Sequence, residues 1–312
     1  MTLAILCSGQ GPQHREMFAL TGDAPEASGL FAHAAGLLGG RDPRELVRTA
    51  SDKELHTDRT GQILCTLQAL AAQTALHPAL PDRIVVAGYS VGEVAAWGVA
   101  GALDPADTLD LIARRAETMD AASSPGDGLV FVRGLPRAAV EQLCLRHDAA
   151  VAIINPGDAY VVGGHRPQLD AFQQDAAASG AAHVVALPVQ VASHTPLLAP
   201  ASSAFRETLR KARVTLPVPG RIRLLSGIDG APVLSVETGL DKLAAQISQT
   251  VRWSDCLQAC VEAGATVFLE LGPGAALAKM AAGAYPDIPA RSLEDFRTLA
   301  GARTWLARSA RS

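Results

Sequence analysis

The segment Gly88-Tyr89-Ser90-Val91-Gly92 sets a hydroxyl between two glycines, each two residues away. At a tight turn from strand to helix, such a serine projects its Oγ outward as a nucleophile. The glycines remove Cβ atoms that would clash, and the turn holds the serine in strained backbone angles. The Val91 amide then opens a helix N-terminus, where an N–H can meet the oxyanion of a tetrahedral intermediate. The chemistry expected is acyl transfer through an acyl-serine. The pattern alone also fits an ordinary strand-to-helix turn with a capping serine, so the flanks decide. Ile84-Val85-Val86-Ala87 reads as an apolar strand, and residues 93–101 read as the helix that leaves the turn.

A serine hydroxyl needs a base to take its proton as it attacks. The chain has eight histidines. His14, His33, His56, His77 and His147 lie among polar or helical residues and read as surface positions. His165 and His183 border strands. His194, in Val191-Ala192-Ser193-His194-Thr195-Pro196, falls after an apolar strand and before a proline, where the chain re-enters its main body. It is the favoured base, with a structural histidine as the competing reading.

Several elements must position these groups. Leu3 to Cys7 reads as a buried strand, followed by a turn at Ser8-Gly9-Gln10-Gly11 and a helical stretch with Met17, Phe18 and Leu20. Residues 60–76 carry apolar residues at helical spacing. Asp104-Pro105 starts another helix, with Asp104 as cap. Beyond the turn-rich residues 123–128 the rhythm changes to β-α-β-β-α-β, the ferredoxin-like split unit, ending near Pro188. Helices are expected over 201–214, 240–250 and 253–263, and strands over 222–226 and 266–271. The expectation is an α/β protein: an α/β-hydrolase-like large subdomain (1–124 and 189–312) with an inserted ferredoxin-like small subdomain (125–188).

Composition narrows the function. Of 312 residues, 48% are hydrophobic and 19% charged, enough for a large core. The net charge of −4 gives little support to nucleic-acid or anionic-membrane partners. No apolar stretch reaches the length of a membrane span, and the N-terminus lacks the basic region of a secretory signal. Cys7, Cys65, Cys144, Cys256 and Cys260 are scattered and odd in number, which fits a reducing cytoplasm. Cys256 and Cys260 lie four apart on an expected helix, but without further ligands at metal spacing they read as buried thiols. The cationic residues Arg206, Arg210, Lys211 and Arg213 read as a solvated face, with an acidic partner protein as the alternative.

Six motifs occur in order: Gly9-Gln10-Gly11-Pro12-Gln13, Gly88-Tyr89-Ser90-Val91-Gly92-Glu93, Arg115 with Met119, Ser193-His194, Gln246 through Val251-Arg252-Trp253, and Glu270-Leu271-Gly272-Pro273-Gly274. Together they resemble the malonyl-CoA:acyl carrier protein transacylase family, over nearly the whole chain. Residues 38–46, 62–70 and 87–93 look closest to the epsilon subunit of malonate decarboxylase, which loads a small carrier subunit. The resemblance implies an acyl carrier protein as acceptor, malonyl-CoA as donor and no bound cofactor. It implies that Ser90 is the nucleophile, His194 the base and then the acid, and Val91 and Gln10 the oxyanion hole. Arg115 would pair with the malonyl carboxylate, the backbone carbonyl of Gln246 would take the place of a triad acid, and Asn155 would line the cleft. An arginine suits that task because it offers a carboxylate two parallel hydrogen bonds and stays ionised when buried. Read without the family, Arg115 equally fits a surface charge beside Arg114. Four positions depart from the family pattern: Tyr89 for His, Asp158 for Gln, Thr250 for Pro and Ala192 for Pro, so methylmalonyl acceptance stays open. Two other functions share parts of the pattern. A serine hydrolase would use the elbow but needs an acid, and Asp170 and Asp175 read as helix positions in the insert. A carrier-binding scaffold would need neither Ser90 nor His194.

Overall fold

A computed structural model describes residues 1–218 and 220–309. The last three residues of the expected large subdomain lie outside that range. The first sheet is parallel and contains β1 (Leu3–Cys7), β2 (Ile84–Gly88), β7 (Ile222–Leu224), β9 (Val267–Glu270) and β10 (Ala290–Ser292). Its order is β10-β9-β1-β2-β7, so successive connections run outward from β1 first to one edge and then to the other. Functional loops gather at the carboxyl ends of the strands where such an order reverses.

The central strands β1, β2 and β9 are buried on both faces, as the middle of a parallel sheet requires. Leu3, Ile5 and Cys7 enter the core shared with the helices Asp58–Leu76 and Pro105–Ala122. Ala4 and Leu6 alternate to the other face, against Trp253 and Leu257 of the helix Trp253–Glu262.

The second sheet joins β3 (Asp127–Arg133), β4 (Ala150–Asn155), β5 (Ala159–His165), β6 (His183–Ala186) and β8 (Val251–Arg252). Its first four strands have the antiparallel order β6-β3-β5-β4 of the expected split unit. One face packs Val130, Val132 and Val162 against the helices Arg137–Arg146 and Arg166–Ala178. The other sets Leu129, Ile153 and Val161 against the large subdomain. β8 was not foreseen in the sequence. It leaves the large subdomain to pair with β4 in parallel, and Thr250 Oγ1 donates to the Val151 carbonyl at 2.8 Å.

Some boundaries differ from expectation. Residues 15–23 form successive turns, not a helix, although Met17 and Phe18 are buried. The strand expected before His194 ends at Ala186, and residues 187–195 run as irregular chain. The helix expected over 240–250 is Val236–Ala245, capped by Ser235 and ending at Gln246. The helix expected to reach Val214 is Ala199–Leu209. Its basic face is partly neutralised, because Arg206 pairs with Asp241 and Arg210 with Glu207.

Asp104 accepts from the Ala106 and Asp107 amides and so fixes the start of the helix that carries Arg115. Replacing a capping Asp by Ala costs about 1 kcal/mol. Asp104→Ala is therefore expected to lower the urea midpoint with an unchanged m-value, and an unchanged midpoint would contradict the capping role.

Candidate active site

The turn after β2 places Ser90 at φ +56°, in the left-handed region that costs a non-glycine residue about 1–3 kcal/mol. Its flanking glycines are sterically required. A Cβ added to Gly88 would fall 2.1 Å from the Gly92 carbonyl oxygen, and one added to Gly92 would fall 2.1 Å from that of Cys7. The Tyr89 amide donates to the Cys7 carbonyl at 3.0 Å, which binds the elbow to the end of β1. The loop leaving β1 then passes the elbow, with Gly9 close against Tyr89. Gln10 follows Gly9 on that loop, and Val91 follows Ser90 in the turn. Among the described residues, neither of their backbone amides has a protein acceptor.

His194 is buried and also has left-handed backbone, at φ +64°. Its amide donates to the Ile247 carbonyl at 2.8 Å. The ring lies between two oxygens: Nε2 is 2.7 Å from Ser90 Oγ, and Nδ1 is 2.5 Å from the Gln246 carbonyl oxygen. A carbonyl can only accept, so Nδ1 carries the proton and Nε2 is left as the acceptor for the serine. The end of the helix at Ala245 matters here, because a last-turn carbonyl is free of intrahelical bonds.

Arg115 is buried, not a surface charge. Nη1 donates to Gln62 Oε1 at 2.7 Å and Nη2 to Gln246 Oε1 at 3.2 Å. Its Nε has no protein acceptor among the described residues. The Gln246 side-chain amide donates in turn to the Ser90 carbonyl at 2.9 Å and to Glu93 Oε2 at 2.8 Å. One glutamine thus touches the nucleophile's backbone, the base and the cation. Asn155, at the end of β4, is buried and faces the Tyr89 hydroxyl, so the small subdomain meets the elbow directly. Tyr89 also packs edge-on to Trp253, with ring centroids 5.4 Å apart.

All seven residues singled out from the sequence belong to this one region. Glu93, Gln62 and Asp58 were missed as site residues. The available signal was a polar residue inside an apolar run: Gln62 precedes Ile63-Leu64-Cys65, and Glu93 lies on a helix buried at every position. The nearest candidates for a hydrolase acid lie elsewhere, since Asp175 pairs with Arg146 and His147, and Asp170 with Arg166. Among the described residues there is no cluster that could hold a metal ion, and the five cysteines are free and buried.

Burial, and then the nearby Arg115 charge, push the His194 pKa down to about 3, against the pull of the Gln246 carbonyl. The ring is therefore a neutral base at neutral pH. Protonation disables it only well below the usual imidazole value, so the rate of Ser90 labelling by a fluorophosphonate should hold down to well below pH 6.5. Arg115→Gln removes one downward push and should move that acid limb upward. A wild-type limb at or above pH 6.5 would contradict this reading.

Residues 5–295 match the family model of the acyl transferase domain. The malonyl CoA-acyl carrier protein transacylase of Mycobacterium tuberculosis is 31% identical over 296 residues, covering 94% of this chain and 96% of that protein. The polyketide synthase GfsB of Streptomyces halstedii is 32% identical over 289 residues, which cover 90% of this chain and 5% of that protein. The crystal structure of an acyl-carrier-protein S-malonyltransferase from Burkholderia pseudomallei superposes with a TM-score of 0.90 at 28% identity, covering 97% of this chain and 100% of that one. With sequence and fold matched over nearly its whole length, the chain belongs to the acyl transferase domain family, among the malonyl CoA-acyl carrier protein transacylases.

Proposed function

We propose that the protein is an acyl-carrier-protein S-malonyltransferase that moves malonyl from malonyl-CoA to a phosphopantetheine-type thiol through malonyl-Ser90. The observation that carries this reading is Arg115. It is buried beside a serine–histidine pair and, among the described residues, its side chain is bonded only to neutral amide oxygens. A buried guanidinium with no carboxylate bonded to it favours an acyl group that brings its own carboxylate and disfavours acetyl.

The steps follow from the hydrogen bonds. Ser90 Oγ attacks the thioester carbonyl carbon while its proton passes to His194 Nε2. The carbonyl oxygen becomes an oxyanion, which the Val91 and Gln10 amides receive in this reading. Collapse breaks the carbon–sulfur bond, and the departing CoA thiolate takes the proton from His194. The carrier thiol then gives a proton to His194 as its sulfur attacks the acyl-serine, and collapse breaks the ester bond while Ser90 Oγ takes that proton from His194. Gln246 keeps the imidazole in one tautomer throughout. Asn155 closes the cleft from the small subdomain. None of these steps uses a resident cofactor, and the setting we infer is cytoplasmic.

For the acceptor we propose the small carrier subunit of malonate decarboxylase, on the strength of residues 38–46, 62–70 and 87–93. A fatty-acid or polyketide carrier is the second reading, favoured by the names of the relatives above. Incubation with malonyl-CoA and both kinds of carrier, followed by mass spectrometry, separates them. Preferential loading of the decarboxylase carrier is expected, and exclusive loading of a fatty-acid carrier would overturn that assignment.

Two variants test the chemistry. Ser90→Ala should abolish transfer and the trapped malonyl adduct, and near-normal transfer would end the mechanism. Arg115→Ala should lower kcat/KM for malonyl-CoA by roughly a hundredfold, about 2.7 kcal/mol. An equal loss with acetyl-CoA would count against the carboxylate clamp.

A further inference from the structure

Arg115 stands between two carboxylates that do not touch it. Each is separated from the guanidinium by one glutamine. On one side Asp58 Oδ2 accepts from Gln62 Nε2 at 2.7 Å, and Gln62 Oε1 accepts from Arg115 Nη1 at 2.7 Å. On the other, Glu93 Oε2 accepts from Gln246 Nε2 at 2.8 Å, and Gln246 Oε1 accepts from Arg115 Nη2 at 3.2 Å. The two relays are chemically alike but come from different parts of the chain. Asp58 and Gln62 lie one turn apart on the helix Asp58–Leu76, whereas Glu93 follows the elbow and Gln246 ends the helix Val236–Ala245.

The direction of every bond in these relays is forced. A guanidinium only donates, so each glutamine must turn its oxygen to the arginine, which leaves its NH₂ to donate to the acid. A direct Asp–Arg or Glu–Arg contact would instead be bidentate and would occupy the donors a substrate carboxylate needs. With two amide oxygens as partners, three of the five guanidinium N–H groups have no protein acceptor among the described residues.

We infer that Asp58 and Glu93 are positioning residues for the acyl-carboxylate clamp: each fixes the orientation of a glutamine spacer, so that Arg115 is held in place with its donors open to a carboxylated acyl group. This rests on the malonyl reading above and deepens it. Both acids feel the arrangement. Burial raises Glu93 to about 7 and Asp58 to about 6, and the charge of Arg115 pulls each back. Glu93 is held further by the Gly227 amide and Ser226, so its carboxylate is fixed where the spacer needs it.

The test compares two reactions of Ser90 in the full-length protein. Loading from malonyl-CoA, followed by intact-protein mass spectrometry, needs the clamp. Labelling by a fluorophosphonate needs Ser90, His194 and the oxyanion amides but not the clamp. Asp58→Asn keeps the shape but lets the amide turn either way. It should lower malonyl loading at least tenfold more than fluorophosphonate labelling, mainly through KM. Glu93→Gln should do the same if it folds, and Asp58→Asn stands alone if it does not. Gln62→Glu places an anion directly on Arg115 and should erase the preference for malonyl-CoA over acetyl-CoA. Equal losses in both reactions for Asp58→Asn, or a retained malonyl preference in Gln62→Glu, would overturn the inference. Absence of malonyl loading in the wild-type protein that still takes the fluorophosphonate would instead remove the malonyl reading itself.

Discussion

A guanidinium sealed from water without a carboxylate against it is costly to keep, because its hydration is lost before any partner replaces it. Much of the site is arranged around that cost. Two helices that pack side by side on the same face of the parallel sheet supply Arg115 and Gln62. The end of a third supplies Gln246, which bonds the cation through its side chain and the histidine through its backbone. Cation and base are therefore tied to one residue, the cation by its side chain and the base by its backbone.

The same arrangement sets the strength of the base. A carbonyl at Nδ1 orients the ring without adding the negative charge that a triad carboxylate would add. Burial and the neighbouring cation both disfavour imidazolium. A carboxylate bound at Arg115 would offset that positive charge and make His194 a better proton acceptor at the moment of attack. A neutral acyl group would not. On the proposed malonyl reading, discrimination would act on the proton transfer as well as on binding.

Legibility followed the range of the signal. The elbow was readable because glycine, strand and helix cues all lie within a few residues of Ser90. The split unit was readable because its strands and helices alternate with clear turns. His194 could be favoured but not fixed from its surroundings, since its partner Gln246 lies 52 residues away. The expected helix over 240–250 would have hidden the Gln246 carbonyl. Ser235 supplied a better start than apolar spacing suggested, and the helix ended early enough to release that oxygen. β8 was missed because two residues carry no periodicity, and only their partner strand gives them meaning.

The centre of the large sheet has a consequence for how the chain is made. One edge of β1 pairs with β9, a strand made more than 260 residues later. At about 5–20 residues per second, Leu3-Ala4-Ile5-Leu6-Cys7 leaves the ribosome roughly 13–50 s before that neighbour exists. During that interval a fully apolar strand has an open hydrogen-bonding edge, the kind of surface that recruits other nascent chains. Ser8, which donates to Glu270 across the same gap, waits equally long. Until β9 is made, that edge of β1 lacks the strand that covers it in the finished sheet.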